Sequence, residues 1–259
     1  MNIQELFGLE GKVAVVTGGS GGIGYMIAQG LVCARVKVYI CGRRQPALEA
    51  AAAALGAFGT CVPVVADLGT DAGITHLGER VSERERALNI LVNNAGATWA
   101  APLDSFPRSG FEKVLNTNVT APFQVVRCLL PQLRRGASGG DPARIINVAS
   151  ISGLEPPPRE TYPYSASKAA LIMLTRHLAQ RLTSDNITVN AIAPGIFESK
   201  MTQFMFDRNH PQYRPPPEFP LGRAGRPDDM AGAVIYLASR AGSYVTGVTL
   251  PVAGGGGLE

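Results

Sequence analysis

Seven short runs of β-branched and other apolar residues, separated by longer helical stretches, most constrain the fold of this chain. The runs are Val13 to Thr17, Val36 to Cys41, Val62 to Asp67, Ile90 to Asn93, Ile145 to Ala149, Thr188 to Ala193 and Val248 to Val252. Most are apolar at successive positions, which is typical of strands buried on both faces of a parallel sheet. Helical spacing marks the stretches Ile23 to Val32, Asp71 to Ala87, Phe111 to Leu133, Tyr164 to Leu182 and Asp228 to Ala238. The alternation predicts a series of βαβ units.

Such units are connected by right-handed crossovers, so the expected fold class is α/β. The sheet should be doubly wound and predominantly parallel, with seven strands and with helices on both faces. A length of 259 residues suits one large hydrophobic core, and residues 1–259 are therefore predicted to form a single domain. Ligands should bind beyond the carboxyl ends of the strands.

One connection stands out because it is far longer than the others. The stretch 196–220 is too long for an ordinary link and is rich in proline and in apolar side chains such as Phe197, Met201 and Phe204. We predict a substrate lid there; a flexible surface insert is the alternative. Gly136 to Pro142 and Pro156 to Pro158 also interrupt the regular pattern.

A glycine-rich turn follows the first predicted strand directly and leads into a helix. It reads TGGSGGIG from Thr17 to Gly24. Glycines allow the backbone to approach a pyrophosphate, and the helix start directs amide hydrogens and a positive dipole end toward it. The placement favours a dinucleotide site over a turn without a ligand.

The residues after the second predicted strand indicate which dinucleotide binds. An NAD-binding protein usually carries Asp or Glu there for the ribose 2′-hydroxyl, whereas this chain has Gly42, Arg43 and Arg44. A guanidinium can hold a 2′-phosphate by charge-assisted hydrogen bonds. NADP(H) is therefore the expected cofactor, with Arg43 as the phosphate ligand. The alternative is that both arginines only face solvent.

Tyr164 and Lys168 are four residues apart, which places a phenol and an ammonium on one face of a helix. A nearby cation favours the phenolate and should lower the tyrosine pKa, so Tyr164 is a candidate general acid. Tyr162 competes for the role, but the residue four positions after it is Ala166. Ser150, at a strand end, can present a hydroxyl to the same substrate oxygen, with Ser152 as its rival.

Asn118 lies within a long helical stretch, where asparagine is an indifferent helix former. A side chain that interrupts backbone pairing and holds a water molecule would explain its presence.

Together these motifs resemble the short-chain dehydrogenase/reductase family from Leu9 to Gly255. Besides the glycine turn, the family order is matched by Asp67, Asn93-Asn94-Ala95-Gly96, Asn118-Val119, Ser150, Tyr164 with Lys168, and Pro194-Gly195. The resemblance implies a Rossmann-type fold and an oxidoreductase. In such an enzyme Tyr164 would protonate a carbonyl oxygen held by Ser150, Lys168 would bind the ribose, and Asn118 would anchor a water-linked proton path.

The resemblance also implies which residues touch the cofactor. Asp67 would meet the adenine and Pro194 to Ile196 would flank the nicotinamide, while Ser199 stands where the family often has a threonine for the carboxamide. The implied cofactor contacts are Gly18, Ser20, Gly22, Ile23, Gly24, Arg43, Asp67, Leu68, Asn94, Ala95, Gly96, Tyr164, Lys168, Pro194, Gly195, Ile196 and Ser199. Gly21 and Ala253 depart from the family pattern, which often has a basic and an acidic residue there.

The segment Gly136 to Pro142 resembles the rhamnolipid-type subgroup of β-ketoacyl reductases. The favoured function is therefore NADPH-dependent reduction of a ketone, with a small-molecule carbonyl substrate such as a 3-oxoacyl thioester. A polyol or sugar-acid dehydrogenase of the gluconate 5-dehydrogenase type and a non-catalytic NADPH-sensing regulator are the alternatives. The resemblance further implies a homodimer or homotetramer, and it makes an acyl carrier protein a candidate partner.

Composition argues against several other classes of protein. The excess of 24 basic over 20 acidic residues is mild and is not clustered with aromatic residues, so nucleic-acid binding is not expected. His76, His177 and His210 are far apart, and no metal site is expected. No apolar run suits a membrane span. The scattered cysteines, read as buried free thiols, and the absence of a signal-peptide pattern predict a cytoplasmic protein.

Overall fold

The sheet of the molecule orders its strands β3-β2-β1-β4-β5-β6-β7, and all neighbouring strands are parallel. A computed structural model describes residues 2–199, 201–209 and 220–256, within which these seven strands form one sheet. The strands are β1 Val13–Thr17, β2 Lys37–Gly42, β3 Cys61–Val65, β4 Ile90–Asn93, β5 Ala143–Val148, β6 Ile187–Pro194 and β7 Thr249–Val252. The predicted parallel seven-stranded α/β sheet is confirmed.

Apart from α1, which precedes β1, the helices lie in the connections between successive strands. They are α1 Ile3–Phe7, α2 Gly22–Cys33, α3 Gln45–Gly56, α4 Asp71–Ser82, α5 Arg108–Leu115, α6 Ala121–Gly136, α7 Tyr162–Leu182, α8 Gln203–Phe206 and α9 Pro227–Ala238. One helix prediction was too long, because α4 ends at Ser82 and not at Ala87. The stretch predicted as one helix from Phe111 to Leu133 is divided into α5 and α6 by a π-helical turn, Asn116–Thr120.

Two apolar layers hold the helices against the sheet. Alternate residues of β1 belong to opposite layers: Ala14 and Val16 face α2, α3 and α9, whereas Val15 faces α4, α6 and α7. Because both faces are covered, the central strands bury every residue; in β6 this continues over all eight positions. This explains the continuous apolar runs of the sequence, and it confirms helices on both faces.

The order of the strands positions the ligand site. The chain first adds strands outward from β1 to β3 and then returns to β4 on the other side of β1. At this reversal the chain passes from β1 to a helix on one face of the sheet and from β4 to helices on the other face, which leaves a crevice at the carboxyl edge of the sheet. The stretch 196–220, predicted as a lid, follows β6; its residues 200 and 210–219, which include His210, lie outside the described residues.

None of the helices in the described ranges combines the length and the apolar character that crossing a bilayer requires.

Candidate active site

A cavity of about 380 Å³ opens at the carboxyl edge of the sheet, between the loops that follow β1, β4, β5 and β6. Most of the predicted site residues meet there. Those lining it are Gly18, Ser20, Gly22, Ile23, Gly24, Asn94, Ala95, Gly96, Ser150, Tyr164, Lys168, Pro194, Gly195 and Ser199. Gly18 and Ser199, which are 181 positions apart in the chain, thus converge because parallel strands end at one edge.

A second cavity, of about 410 Å³, adjoins the first and shares Gly18, Ser20, Ala95 and Gly96 with it. The predicted residues Arg43, Asp67 and Leu68 line this second cavity. Ile196 is the exception among the predicted cofactor contacts, because it lines a separate cavity beside β7 with Leu250 and Val252. Its neighbour Phe197 reaches both that cavity and the active-site cavity.

The glycine turn is shaped by backbone approaches that a side chain would prevent. A Cβ atom on Gly24 would lie 2.3 Å from the Gly18 carbonyl oxygen and 2.4 Å from the Asn94 Nδ2 atom. Gly18 has a φ of 68°, which L residues other than glycine rarely adopt. The turn therefore runs tightly into α2, and the first residues of that 12-residue helix, Gly22 to Gly24, line the cavity.

Thr17, which sequence reasoning did not assign a role, joins this turn to the loop after β4. Its hydroxyl accepts hydrogen bonds from the Asn94 and Ala95 amides, both at 2.9 Å. The Asn94 side chain donates in return to the carbonyls of Thr17 at 2.9 Å and Gly18 at 3.2 Å. The two loops on either side of the crevice therefore form one bonded unit. A buried threonine at the end of β1 was the available signal.

The second cavity carries three exposed cationic side chains and one carboxylate among its described lining residues. Arg43, Arg44 and Lys113 supply the positive charges, and Asp67 supplies the negative one. Arg44 also lines the first cavity, so it spans both. A cavity with this excess of positive charge fits an anionic ligand such as a nucleotide phosphate.

Tyr164 stands at the start of α7 beside Ser150, at the end of β5. Burial raises the pKa of Tyr164, while a hydrogen bond with the Ser150 hydroxyl lowers it by less. The pKa of Tyr164 is thus raised, and not lowered as its spacing to Lys168 predicted; the Lys168 Nζ atom lies 5.6 Å from the ring centroid and donates to the Val148 carbonyl. Tyr164 is therefore protonated at neutral pH and can act as a proton donor.

The two rival residues are placed differently. Tyr162 donates a hydrogen bond from its hydroxyl to Glu160 at 3.0 Å, and its ring packs edge-on against Phe106. It lines a surface groove outside the active-site cavity. Ser152 lies in a 3₁₀ turn, and its amide donates to the Ser150 hydroxyl at 3.1 Å, so it helps to orient Ser150.

Lys168 is buried at 4% exposure one turn after Tyr164, and its ammonium donates to the Val148 carbonyl at 2.7 Å. Burial lowers the pKa of Lys168 to about 8. Lys168 is therefore mostly charged at neutral pH and loses its charge as the pH rises through about 8. An anionic or hydroxyl-bearing ligand in the cavity would favour the charged form.

Asn118 occupies the π-helical turn, where the regular backbone pairing of the long helix is interrupted. Its amide group donates to the Ala97 carbonyl and to the Ser167 hydroxyl, both at 2.9 Å, and its oxygen accepts from the Ala97 amide at 2.8 Å. The side chain thus links the loop after β4 to α7, next to Tyr164 and Lys168. The expected interruption of the helix is present. Single π-helical turns within α-helices are frequent at functional sites.

The loop after β6 is organised by Thr202, another residue that sequence reasoning missed. Its hydroxyl accepts from the Ser199 amide at 3.0 Å, donates to the Phe197 carbonyl at 2.6 Å and lies 3.0 Å from the Ser199 hydroxyl. Thr202 and Met201 line the active-site cavity together with Ser199. Trp99 packs against Gly110 and beneath Lys113, and it is not among the described residues that line this cavity.

These features fit a dinucleotide carrying an additional phosphate. The tight glycine turn and the start of α2 suit the pyrophosphate, the arginine pair suits a 2′-phosphate, and the cavity beside Tyr164 suits the reactive ring. Within the described ranges, no group of three or more His, Cys, Asp or Glu side chains is arranged to hold a metal ion.

Comparison with known proteins places this geometry in context. The family model for short chain dehydrogenase matches residues 12–210. The "Rhamnolipids biosynthesis 3-oxoacyl-[acyl-carrier-protein] reductase" of Pseudomonas aeruginosa is 46% identical over 253 residues, covering 98% of this chain and 99% of the relative.

Solved structures give the same picture at the level of the fold. The Pseudomonas aeruginosa RhlG/NADP active-site complex superposes with a TM-score of 0.93 at 46% identity, covering 100% of both chains. A structure from Beutenbergia cavernae, assigned as an NAD(P)-dependent gluconate 5-dehydrogenase with bound NADP at low occupancy, has a TM-score of 0.83 at 32% identity and covers 96% of this chain and 98% of its own.

Proposed function

The chain belongs to the short-chain dehydrogenase family, and we propose that it reduces ketones with NADPH, favouring 3-oxoacyl thioesters or similar hydrophobic β-keto compounds. The observation that carries this proposal is the convergence of Tyr164, Ser150 and Lys168 on one cavity that is continuous with the glycine turn. Residues 1–259 act as a single catalytic domain in this proposal, with the loop after β6 contributing to substrate binding.

The proposed chemistry follows from the protonation states and hydrogen-bonding groups of the site. When bound, NADPH supplies the hydride for the carbonyl carbon. The Ser150 hydroxyl donates a hydrogen bond to the carbonyl oxygen, and Tyr164 transfers its proton to that oxygen as negative charge develops there. Lys168 binds the ribose hydroxyls and keeps positive charge beside the phenol. Asn118 maintains the position of α7 against the loop after β4 and anchors the water-linked proton path.

The cofactor preference is proposed from the arginine pair. Gly42 offers no carboxylate to a ribose 2′-hydroxyl, while Arg43 and Arg44 are exposed at the second cavity. The RhlG relative was solved with NADP, which supports the same choice. The remaining proposed cofactor-binding residues line the two cavities. Ile196 lines neither of them, and its proposed role is to hold its chain neighbours Gly195 and Phe197, which line the active-site cavity.

The substrate preference is proposed from the apolar side chains near Tyr164. Phe197 and Met201 line the cavity, and Ile23 faces them from α2. Such a wall suits an acyl chain better than a polyhydroxylated sugar acid. The name of the Pseudomonas relative supports thioesters carried on acyl carrier protein as substrates. The resemblance to the Beutenbergia structure keeps a sugar-acid dehydrogenase as the second candidate.

We also propose that the protein forms an oligomer and that it is located in the cytoplasm. Phe123 on α6 and Met173 on α7 are large apolar side chains at 38% and 60% exposure, which supports a homodimer or homotetramer closed through these helices. A cytoplasmic location is proposed because the chemistry needs the cellular NADPH pool.

Initial-rate assays test the proposed function. The purified protein is supplied with NADPH or NADH and with 3-oxoacyl thioesters, simple ketones and 5-ketogluconate, while an identically prepared Tyr164→Phe variant controls for contaminating reductases. We expect the highest kcat/KM for a 3-oxoacyl thioester with NADPH. A higher kcat/KM for 5-ketogluconate than for every hydrophobic β-keto substrate would establish the second candidate instead.

A further inference from the structure

Two loops that leave neighbouring strands meet again outside the active-site cavity. The loop after β5 carries Ser150 and runs through the proline run 156–158 to Arg159, whereas the loop after β6 carries Ser199 and leads into α8. The Arg159 guanidinium lies over the Phe204 ring of α8, with the guanidinium carbon 4.4 Å from the ring centroid. This contact joins the two walls of the cleft.

The Arg159 side of this contact is firmly anchored. The neighbouring Glu160 accepts a hydrogen bond on its carbonyl from the Ala101 amide at 3.3 Å, and its carboxylate accepts from the Leu103 amide at 3.2 Å. The Thr161 amide closes the loop on the Arg159 carbonyl at 2.7 Å. Since prolines precede this segment, its backbone has little freedom. The backbone beside Arg159 is therefore held in place against the loop after β4.

The Phe204 side consists of a short element. Helix α8 spans only Gln203–Phe206, and Thr202 organises the turn immediately before it. Only 8% of Phe204 is exposed, although it lies on a four-residue helix. An exposed guanidinium stacked on this ring holds α8 toward the loop after β5 by a cation–π contact.

The size of the cavity explains why this contact matters. A volume of about 380 Å³ must accept the reactive end of the cofactor and the β-keto group. A long acyl chain must therefore extend beyond the cavity, and the loops that carry Ser150 and Ser199, which line the cavity, are joined outside it by Arg159 and Phe204. A short acyl group can be accommodated without separating them.

We propose that Arg159, through its contact with the Phe204 ring, is a specificity-determining residue that disfavours long acyl chains relative to short ones. This inference rests on the proposed reduction of 3-oxoacyl thioesters. Arg159 is a positioning residue in this account, because it acts on α8 and not on the reacting atoms. Its charge, and not its bulk, carries the effect.

The test compares chain-length preference in matched variants. We expect Arg159→Ala to raise the ratio of kcat/KM for 3-oxodecanoyl over acetoacetyl N-acetylcysteamine thioester by about two- to fivefold, the factor that an exposed cation–π contact corresponds to. Phe204→Leu, which keeps an apolar residue but removes the ring, should give the same change. In the Phe204→Leu background, Arg159→Ala should cause no further change in the ratio, because Arg159 acts through the Phe204 ring. Arg159→Lys, which keeps a cation, should retain most of the original ratio.

Arg208→Ala is the matched control, since it removes an exposed positive charge four residues after Phe204 on the same loop, and it should leave the ratio unchanged. Hydrogen exchange over residues 201–206 provides a readout that needs no substrate: it should accelerate in Arg159→Ala and not in Arg208→Ala.

Independent, additive effects of Arg159→Ala and Phe204→Leu would overturn the inference. So would faster exchange in Arg159→Ala together with an unchanged chain-length ratio. If wild-type protein reduced neither thioester, the proposed function would fail, and the exchange measurement would still report separately whether Arg159 restrains α8.

Discussion

Lys168 gives the site a pH dependence that can be predicted from its burial. Its pKa is lowered to about 8, so the ammonium is present below that pH and is lost as pH rises through it. We expect the Kd for NADPH to increase between pH 7 and pH 9 as the ribose loses its charged partner. Isothermal titration across this range measures the effect.

Lys168→Met serves as the control for this titration, because its side chain cannot be charged. The variant should bind NADPH weakly and with no pH dependence over the same interval. A wild-type Kd that stays constant from pH 7 to pH 9 would show that Lys168 does not titrate in contact with the cofactor.

Arg43 provides the second prediction at this scale. Arg43→Ala combined with Gly42→Asp should weaken NADPH binding by about 10- to 150-fold, because a charge-assisted hydrogen bond is lost and a carboxylate opposes the phosphate. The aspartate should also improve NADH binding through the ribose hydroxyl. A Cβ atom on Gly42 would only reach ordinary contact distance of Leu48, at 3.4 Å, so the site has room for the new side chain.

Fluorescence titration of both dinucleotides distinguishes the cases, with the exposed Arg181→Ala as a charge-matched control remote from the two cavities. Equal affinity of the wild-type protein for NADPH and NADH, or an unchanged preference in the double variant, would mean that Arg43 is only a surface charge.

Individual residues also reveal the limits of sequence reasoning. The sequence predicted that Tyr164 and Lys168 share a helix face, but it could not reveal that Lys168 turns to the Val148 carbonyl, because that acceptor belongs to β5. All four cysteines were expected to be buried, but Cys33, the last residue of α2, is exposed, and Cys61 and Cys128 are only partly buried. Thr17 and Thr202 were missed because their roles depend on hydrogen bonds between loops.

The glycine turn offers a prediction at the scale of one element. Gly24→Ala should prevent tight cofactor binding and lower the free energy of unfolding by about 1–3 kcal/mol, because the new methyl group would overlap the Gly18 carbonyl. Gly21→Ala is the matched control: nothing lies within 4 Å of a Cβ atom there, and its φ of 174° is available to any residue. Chemical denaturation and NADPH titration of both variants check this; equal effects would refute the proposed role of the close approach.

The elements differ in how far their sequence determines them. Strands β1 and β4 match their predicted bounds because apolar runs there end at Gly and Asn. Helix α3 was missed, although its proline in the first turn and its alanine run are strong helix signals. The π-helical turn at Asn118 cannot be read from periodicity, since it depends on the bonds that Asn118 makes with Ala97 and Ser167.

At the scale of the whole molecule, the exposed apolar side chains of α6 and α7 bear on assembly. If these helices form the proposed subunit interface, Met173→Glu should shift the mass of the particle toward that of one chain, because a buried unpaired carboxylate is costly. Phe58→Glu, at a 54% exposed position beyond α3, is the control and should leave the mass unchanged. Light scattering at micromolar concentration decides this, and a monomeric wild-type protein would contradict the proposed oligomer.

The central claim is that Tyr164 donates the proton in an NADPH-dependent ketone reduction, and single-turnover oxidation of bound NADPH by a 3-oxoacyl thioester tests it most directly. We expect Tyr164→Phe to slow this step by about 10²–10⁴-fold while the Kd for NADPH stays within about twofold of the wild-type value, because the lost hydroxyl serves proton transfer. Tyr162→Phe, which removes the neighbouring phenol outside the cavity, should react at the wild-type rate. A Tyr164→Phe variant that consumes NADPH as fast as the wild-type protein would contradict the account.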